Sequence, residues 1–173
     1  YRDIQPCDSG TKPVPCGEWA DPKRQLMGAA QEQWLFSGLA ASKSHWQVLG
    51  QQVMVGPYDS GPGPEVRVSM DQWSGYPAAR DRLLNTIAQR AANRTVVLTG
   101  DIHSNWVNEL RSDFSRPDRP VVAAEFVGTS IASGGDGNGE ANERMRTQLA
   151  ENPHIKWYQN RRGYYTCRVD AKE

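Results

Sequence analysis

Thr95-Val-Val-Leu-Thr-Gly-Asp-Ile-His-Ser-Asn-Trp106 is the stretch from which the rest of the chain can be read. A β-branched, apolar run stops at Gly100. Two side chains able to bind a cation, Asp101 and His103, follow at once. In an extended segment the side chains at i and i+2 point the same way. Both are therefore expected to project together from the end of a strand, where open α/β sheets place their sites. A carboxylate beside an imidazole suits a hard or borderline cation such as Fe, Mn or Zn. The competing reading is an Asp that caps the turn and a His hydrogen-bonded in the core.

Outward from this run, apolar periodicity marks the neighbouring elements. Pro77 suits a first helical position, and Ala79, Leu83, Leu84, Ile87 and Ala91 give helical spacing to about residue 92. A further helix is expected over 27–42 from Met27, Ala30, Trp34, Leu35 and Leu39. Residues 46–55 and 121–127 read as strands, separated from later elements by the loops 56–65 and 128–139, both rich in Gly. A polar helix is expected over 140–151. Ile155–Tyr158 and Tyr164–Val169 read as two short strands joined by Asn160-Arg-Arg-Gly163. The order implies a layered α/β unit with mixed strand directions.

A chain of 173 residues fits one domain with a real core. Its net charge of +0 gives no electrostatic footprint for nucleic acid. No apolar stretch approaches the roughly 20 residues that span a bilayer. Cys7 and Cys16 bracket a Pro/Gly/Ser/Thr-rich loop, which favours a disulfide and an exported protein over two free thiols. Cys167 alternates with apolar residues and reads as a buried strand residue. The start at Tyr1-Arg-Asp, without Met, reads as a processed or cut end.

Other candidates for chemistry are fewer. Asp71 and Trp73, in Met70-Asp-Gln-Trp-Ser-Gly-Tyr-Pro77, either line a pocket or, for Asp71, cap the helix that follows; the cap is the preferred reading. The loop 128–139, with Ser130, either cradles an anion with backbone N–H groups or is an ordinary surface loop. His45 and His154 have no ligand pattern around them and read as surface or edge residues. No Gly-x-Ser-x-Gly elbow supports a serine hydrolase.

Six segments in order carry a resemblance. They are Gly28-Ala-Ala-Gln-Glu-Gln-Trp-Leu35, Ser44-His-Trp-Gln-Val-Leu-Gly-Gln-Gln52, Asp71-Gln-Trp-Ser-Gly-Tyr76, Val97-Leu-Thr-Gly-Asp-Ile-His-Ser104, Glu125-Phe-Val-Gly-Thr-Ser-Ile131, and His154-Ile-Lys-Trp-Tyr158 with Arg162-Gly-Tyr164. Together they resemble the C-terminal half of the PhoD-like alkaline phosphatase/phosphodiesterase family, secreted metallophosphoesterases that include phospholipase D-type members. The resemblance implies an α/β fold, part of a four-layer α/β/β/α sandwich with mixed sheets. It implies metal-dependent phosphoester hydrolysis with iron (Fe3+) and calcium, Mn or Zn being alternatives. Asp101 and His103 would be catalytic metal ligands, and Asp71, Trp73 and Ser130 would lie near the substrate. The substrate would be a phosphomonoester, a phosphodiester or a phospholipid.

The family's earlier motifs bring a ligating Cys, several Asp residues, an Asn and a phosphate-clamping Arg. They have no counterpart in these 173 residues. The resemblance thus implies a half-domain over 1–173, with a disulfide-type loop at 1–25 and an α/β half at 26–173. Its partner would be the N-terminal half as a separate chain, in a secreted or periplasmic setting. Without that partner the alternative is a non-catalytic fragment.

Overall fold

A computed structural model of the protein describes residues 2–170. In chain order its regular elements are Ala29–Ala41 (α1), Gln47–Gly50 (β1), Pro77–Arg90 (α2), Thr95–Thr99 (β2), Asn105–Arg111 (β3), Val121–Val127 (β4), Glu143–Glu151 (α3) and Ile155–Gln159 (β5). Short 3-10 turns occupy Gly17–Ala20 and Trp73–Gly75. The five strands form one mixed sheet, ordered β1-β2-β4-β3-β5. β1, β2 and β4 are parallel neighbours, whereas β3 runs antiparallel to both β4 and β5. A parallel pair cannot be closed by a tight turn, and α2 supplies the crossover from β1 to β2. This mixed α/β architecture is the fold class expected from the sequence.

The two faces of the sheet differ. On the inner face, Val97, Ala123 and Leu110 pack with Leu83, Leu84 and Ile87 of α2 and Leu39 of α1. Toward the other edge, Trp106, Val127 and Ile155 pack with Met145 and Leu149 of α3. The outer face carries a cross-strand apolar row. Leu98 faces Phe126, Phe126 faces Val107, and Val107 faces Trp157. Beside it Val48 pairs with Val96, and Val96 with Ala124. Val48 is 49% exposed and Trp157 48% exposed. The 160–170 segment crosses this face, with the Tyr165 hydroxyl donating to the Phe126 carbonyl at 3.1 Å.

Cys7 and Cys16 are bridged, with Cα atoms 5.6 Å apart. The bridge closes a loop whose residues Cys7, Asp8 and Ser9 all have positive φ. Val68, Met70 and Trp19 pack against it.

Several expectations are corrected. The strand expected over 46–55 is regular only over Gln47–Gly50; backbone bonds to β2 and Gly100 end with Gln51 and Gln52, and the N–H groups of Val55 and Gly56 bond the carboxylate of Glu125 instead. Asn105–Arg111 is a strand that polar Asn108 and Glu109 concealed. Tyr164–Val169 is not a strand, and Cys167 is exposed; the segment lies against the outer face instead, where the Tyr165 hydroxyl bonds the Phe126 carbonyl. Trp34, counted in the apolar stripe of α1, is 72% exposed, while Leu39 is the residue of that helix that is buried. His154 is buried rather than superficial. Its Nε2 donates to the Pro57 carbonyl at 2.6 Å, and its ring meets Phe114 edge-on at 4.9 Å.

Candidate functional site

The candidate site begins where β2 ends. β1, β2 and the turn beyond them are laced by backbone bonds. The Gln51 N–H donates to Leu98, Gly100 N–H to Gln52 and Gly128 N–H to Thr99. The C-terminal ends of β1, β2 and β4 therefore meet at Gly100, at the carboxyl edge where open α/β sheets bind ligands.

After Gly100 the chain is not extended. Ile102 N–H donates to the Gly100 carbonyl at 2.9 Å, closing a three-residue turn on Asp101. Asp101 has φ 73 and His103 has φ 58. Two non-glycine residues held in the left-handed region store strain of roughly 1–3 kcal/mol each, and such strain clusters at functional sites. The i, i+2 reading placed both side chains together for a strand-geometry reason that does not apply here. What orients them is Ile102, which packs with the apolar cluster around Trp106 and leaves both neighbours exposed. Ser104 fixes the exit, its hydroxyl bonded to the Ile102 carbonyl and accepting from Trp106 Nε1.

Neither Asp101 nor His103 makes a side-chain hydrogen bond, ion pair or ring contact among the described residues. The capping aspartate and the hydrogen-bonded core histidine are thereby displaced as readings of this turn. A carboxylate and an imidazole with free lone pairs suit a hard or borderline cation. Among the described residues, no group of three or more His, Cys, Asp or Glu forms a metal-holding cluster.

The Gly-rich loop reaches this turn. A Cβ on Gly135, which has φ +93, would lie 2.7 Å from the His103 carbonyl oxygen and 3.1 Å from His103 Cβ. Only glycine allows this approach. The loop is clasped from behind by residues 160–163. Arg161 donates to the Asn138 carbonyl from Nε and Nη2 at 3.0 and 2.7 Å, and Arg162 Nε donates to Ser133 at 2.8 Å. Asn160 accepts from Gly139 N–H at 2.9 Å, and Gly163 N–H bonds the Ser130 carbonyl. Ser130 keeps its own hydroxyl on the carbonyls of Ser133 and Gly134.

Asp71 and Trp73 lie elsewhere. Asp71 accepts from Arg2 Nη1 at 2.6 Å and from Gln5. It does not cap α2, whose N-cap is Tyr76 with no side-chain bond. Trp73 is 2% exposed in the main core.

Sequence reasoning missed Glu125. It is 0% exposed, and its carboxylate accepts from Val55 N–H at 2.7 Å, Gly56 N–H at 2.8 Å, Asn108 Nδ2 at 2.8 Å and Thr99 Oγ1 at 3.3 Å. Burial pushes its pKa up, against the pull of those four bonds. The carboxylate ties loop 53–56 to the last residue of β2, just before the Asp101 turn. The one signal in the sequence was a lone acid in an otherwise apolar strand.

The comparisons with known proteins agree with one another. The model of the PhoD-like phosphatase family matches residues 1–173. Alkaline phosphatase D of Bacillus subtilis (strain 168) is 46% identical over 171 residues, covering 98% of this chain and 29% of that protein. A solved structure described as "Structure of PhoD" superposes with a TM-score of 0.88 at 43% identity, over 95% of this chain and 31% of that one. The chain thus spans about a third of the length of the relatives it matches.

Proposed function

The chain belongs to the PhoD-like phosphatase family, and from that premise we propose that it is one part of a metal-dependent phosphoester-hydrolysing unit, with Asp101 and His103 as two cation ligands. The observation that carries this reading is the strained turn at the end of β2, with both polar side chains exposed and without internal partners. A cation held there neutralises phosphoryl charge and orients the attacking group. Asp101 brings carboxylate oxygen and His103 imidazole nitrogen. The donor set suits iron, Mn or Zn, with calcium as a further oxygen-ligated ion. The clasped loop 128–139 forms the rim, with Ser130 near its start. Asp71 and Trp73 do not reach this turn in the described contacts and are left out of the proposed machinery.

Two ligands do not make a phosphoesterase site, so the remaining ones come from another part of the polypeptide or from a partner chain. The outer face of the sheet supports this. Val48, Leu98, Phe126, Val107 and Trp157 form a broad apolar surface that is incompletely covered among the described residues. Such a surface marks an interaction face, and a second sheet packing about 10 Å away is its natural occupant. Residues 1–173 would then be one half of a sandwich domain. The Cys7–Cys16 bridge supports an oxidising, exported setting. No helix of the described residues is long and apolar enough to cross a membrane.

The test is Asp101→Ala and His103→Ala in the full protein, with metal stoichiometry measured beside hydrolysis of a monoester, a diester and a phospholipid. Loss of metal together with loss of turnover supports the assignment. Full turnover at unchanged stoichiometry refutes it. Preference for the phospholipid would identify a phospholipase D-type enzyme, and preference for the monoester a phosphatase.

A further inference from the structure

Glu125 is a buried acid that the cation assignment leaves without a task. It stands in the middle of β4, between Val97 of β2 and Asn108 of β3. A carboxylate at 0% exposure is tolerated only with its oxygens matched, and two of its four donors come from a segment outside any strand or helix. Among the described residues no backbone–backbone bond involves 53–56. The bonds from Val55 and Gly56 N–H to the carboxylate are the polar hold on this segment. The approach is close: a Cβ on Gly56 would lie 3.1 Å from Glu125 Oε2 and 2.9 Å from Asn108 Nδ2.

The same stretch of chain supports the Asp101 turn. Gln52, just before the segment, takes the Gly100 N–H on its carbonyl at 3.3 Å. Met54, at 0% exposure, belongs to the cluster with Trp106 and Val127 against which Ile102 packs. Ile102 in turn leaves Asp101 and His103 facing outward. A further link runs through Thr99, two residues before Asp101, whose hydroxyl donates to Glu125 Oε1 at 3.3 Å. The carboxylate therefore holds both the segment that seats the turn and the strand that feeds it.

Asp101 and His103 both hold positive φ, and a strained conformation persists only where its surroundings over-determine it. The Gln52 carbonyl, the Ile102 seat and the Thr99 hydroxyl are three such restraints, and two of them lead to one carboxylate. We infer that Glu125 is a positioning residue for the cation turn, acting through Val55, Gly56 and Thr99 on the seat of Ile102 so that the Asp101 carboxylate and the His103 imidazole face one ion. Glu125 bonds neither ligand; it fixes the backbone from which they project. The inference rests on the cation assignment made above and adds to it a group that the ion never touches.

The experiment uses the full protein stripped of metal. Titration with Mn2+ gives the cation affinity, and amide exchange before titration follows Ile102, whose N–H closes the turn on the Gly100 carbonyl. Glu125→Gln should weaken Mn2+ binding by about tenfold or more, the usual size of an outer-shell loss, and should speed exchange at Ile102. Met54→Ala removes part of the Ile102 seat without touching the carboxylate; it should give the same two changes while Val55 and Gly56 N–H stay protected. Val68→Ala deletes buried apolar atoms beside the Cys7–Cys16 bridge and should leave Mn2+ affinity within about twofold, since distant sites act independently. The inference is overturned if Glu125→Gln alters neither Ile102 exchange nor Mn2+ affinity. It is equally overturned if Val68→Ala weakens Mn2+ as much, because the effect is then general destabilisation. Should Glu125→Gln not fold, Met54→Ala decides, and unaltered exchange and affinity there overturn it. Asp101→Ala separates the two readings. A variant that binds Mn2+ as the unaltered protein does refutes the cation assignment, and Ile102 exchange in the metal-free protein still decides whether Glu125 holds the turn.

Discussion

Glu125→Gln perturbs the structure at its most connected buried group. The two carboxylate oxygens receive different donors. Oε1 accepts from Val55 N–H at 2.7 Å and Thr99 Oγ1 at 3.3 Å, and Oε2 from Gly56 N–H and Asn108 Nδ2, both at 2.8 Å. A glutamine has one carbonyl and one NH2. With its carbonyl at the Oε2 position, Gly56 and Asn108 keep their acceptor. The NH2 then faces Val55 N–H and the Thr99 hydroxyl. The hydroxyl is able to rotate and accept, but the backbone N–H is not. One buried N–H is orphaned, at a cost of roughly 1–3 kcal/mol. Glu125→Ala removes the acceptor for all four donors and leaves a void in a site with 0% exposure, so its cost is about 5 kcal/mol or more. Urea unfolding midpoints of the full protein measure the ladder. Amide exchange at Val55 and Gly56 localises it, and both amides should lose protection in the glutamine variant. Equal stability of Glu125→Gln and the unaltered protein, with Val55 still protected, would refute the reasoning. If the alanine variant does not fold, the glutamine variant still decides the matter.

Three further outcomes follow from the same geometry. Gly135→Ala would press a methyl to 2.7 Å from the His103 carbonyl at a φ of +93; turnover should drop by about tenfold or more while the unfolding midpoint shifts by no more than about 1–2 kcal/mol, and an unchanged rate would show that His103 needs no exact placement. His154 has its pKa lowered from 6.5 by burial, with the cations Arg80, Lys156 and Arg111 adding to the effect and the bond to Pro57 opposing it. The unfolded chain therefore takes up the proton first as pH falls. Its contribution to stability is complete above 6.5 and is lost as pH drops through that value toward the folded pKa. His154→Gln should flatten this part of a stability–pH profile recorded by urea unfolding, and a profile unaltered by the substitution would contradict it. Reducing Cys7–Cys16, whose sequence separation is 9, should cost about 2.5 kcal/mol by loop closure. Thermal unfolding with and without reductant checks this, and an identical midpoint would mean that the packing of Val68 and Met70 holds the loop unaided.

The sequence by itself determined the parts whose cause is local. β-branched runs became β2 and β4 at the residues expected, and the apolar spacing of Ala79, Leu83, Leu84 and Ile87 became the buried face of α2. The family to which the chain belongs was equally legible, since each of the six segments that carry it is contiguous; the left-handed geometry of Asp101 and His103 was not. Tertiary structure decided everything that depends on a distant partner. No apolar periodicity marked Asn105–Arg111 as a strand, with Asn108 and Glu109 in its middle, and it is β4 and β5 on either side that make it β3. Glu125 is at home in a strand only because N–H groups 69 and 70 residues away turn toward it. His154 is buried because Pro57, 97 residues distant, offers a carbonyl. Burying a polar group is favourable only when its hydrogen bonds are matched, and a matching partner far along the chain leaves no periodic trace beside the residue that it satisfies.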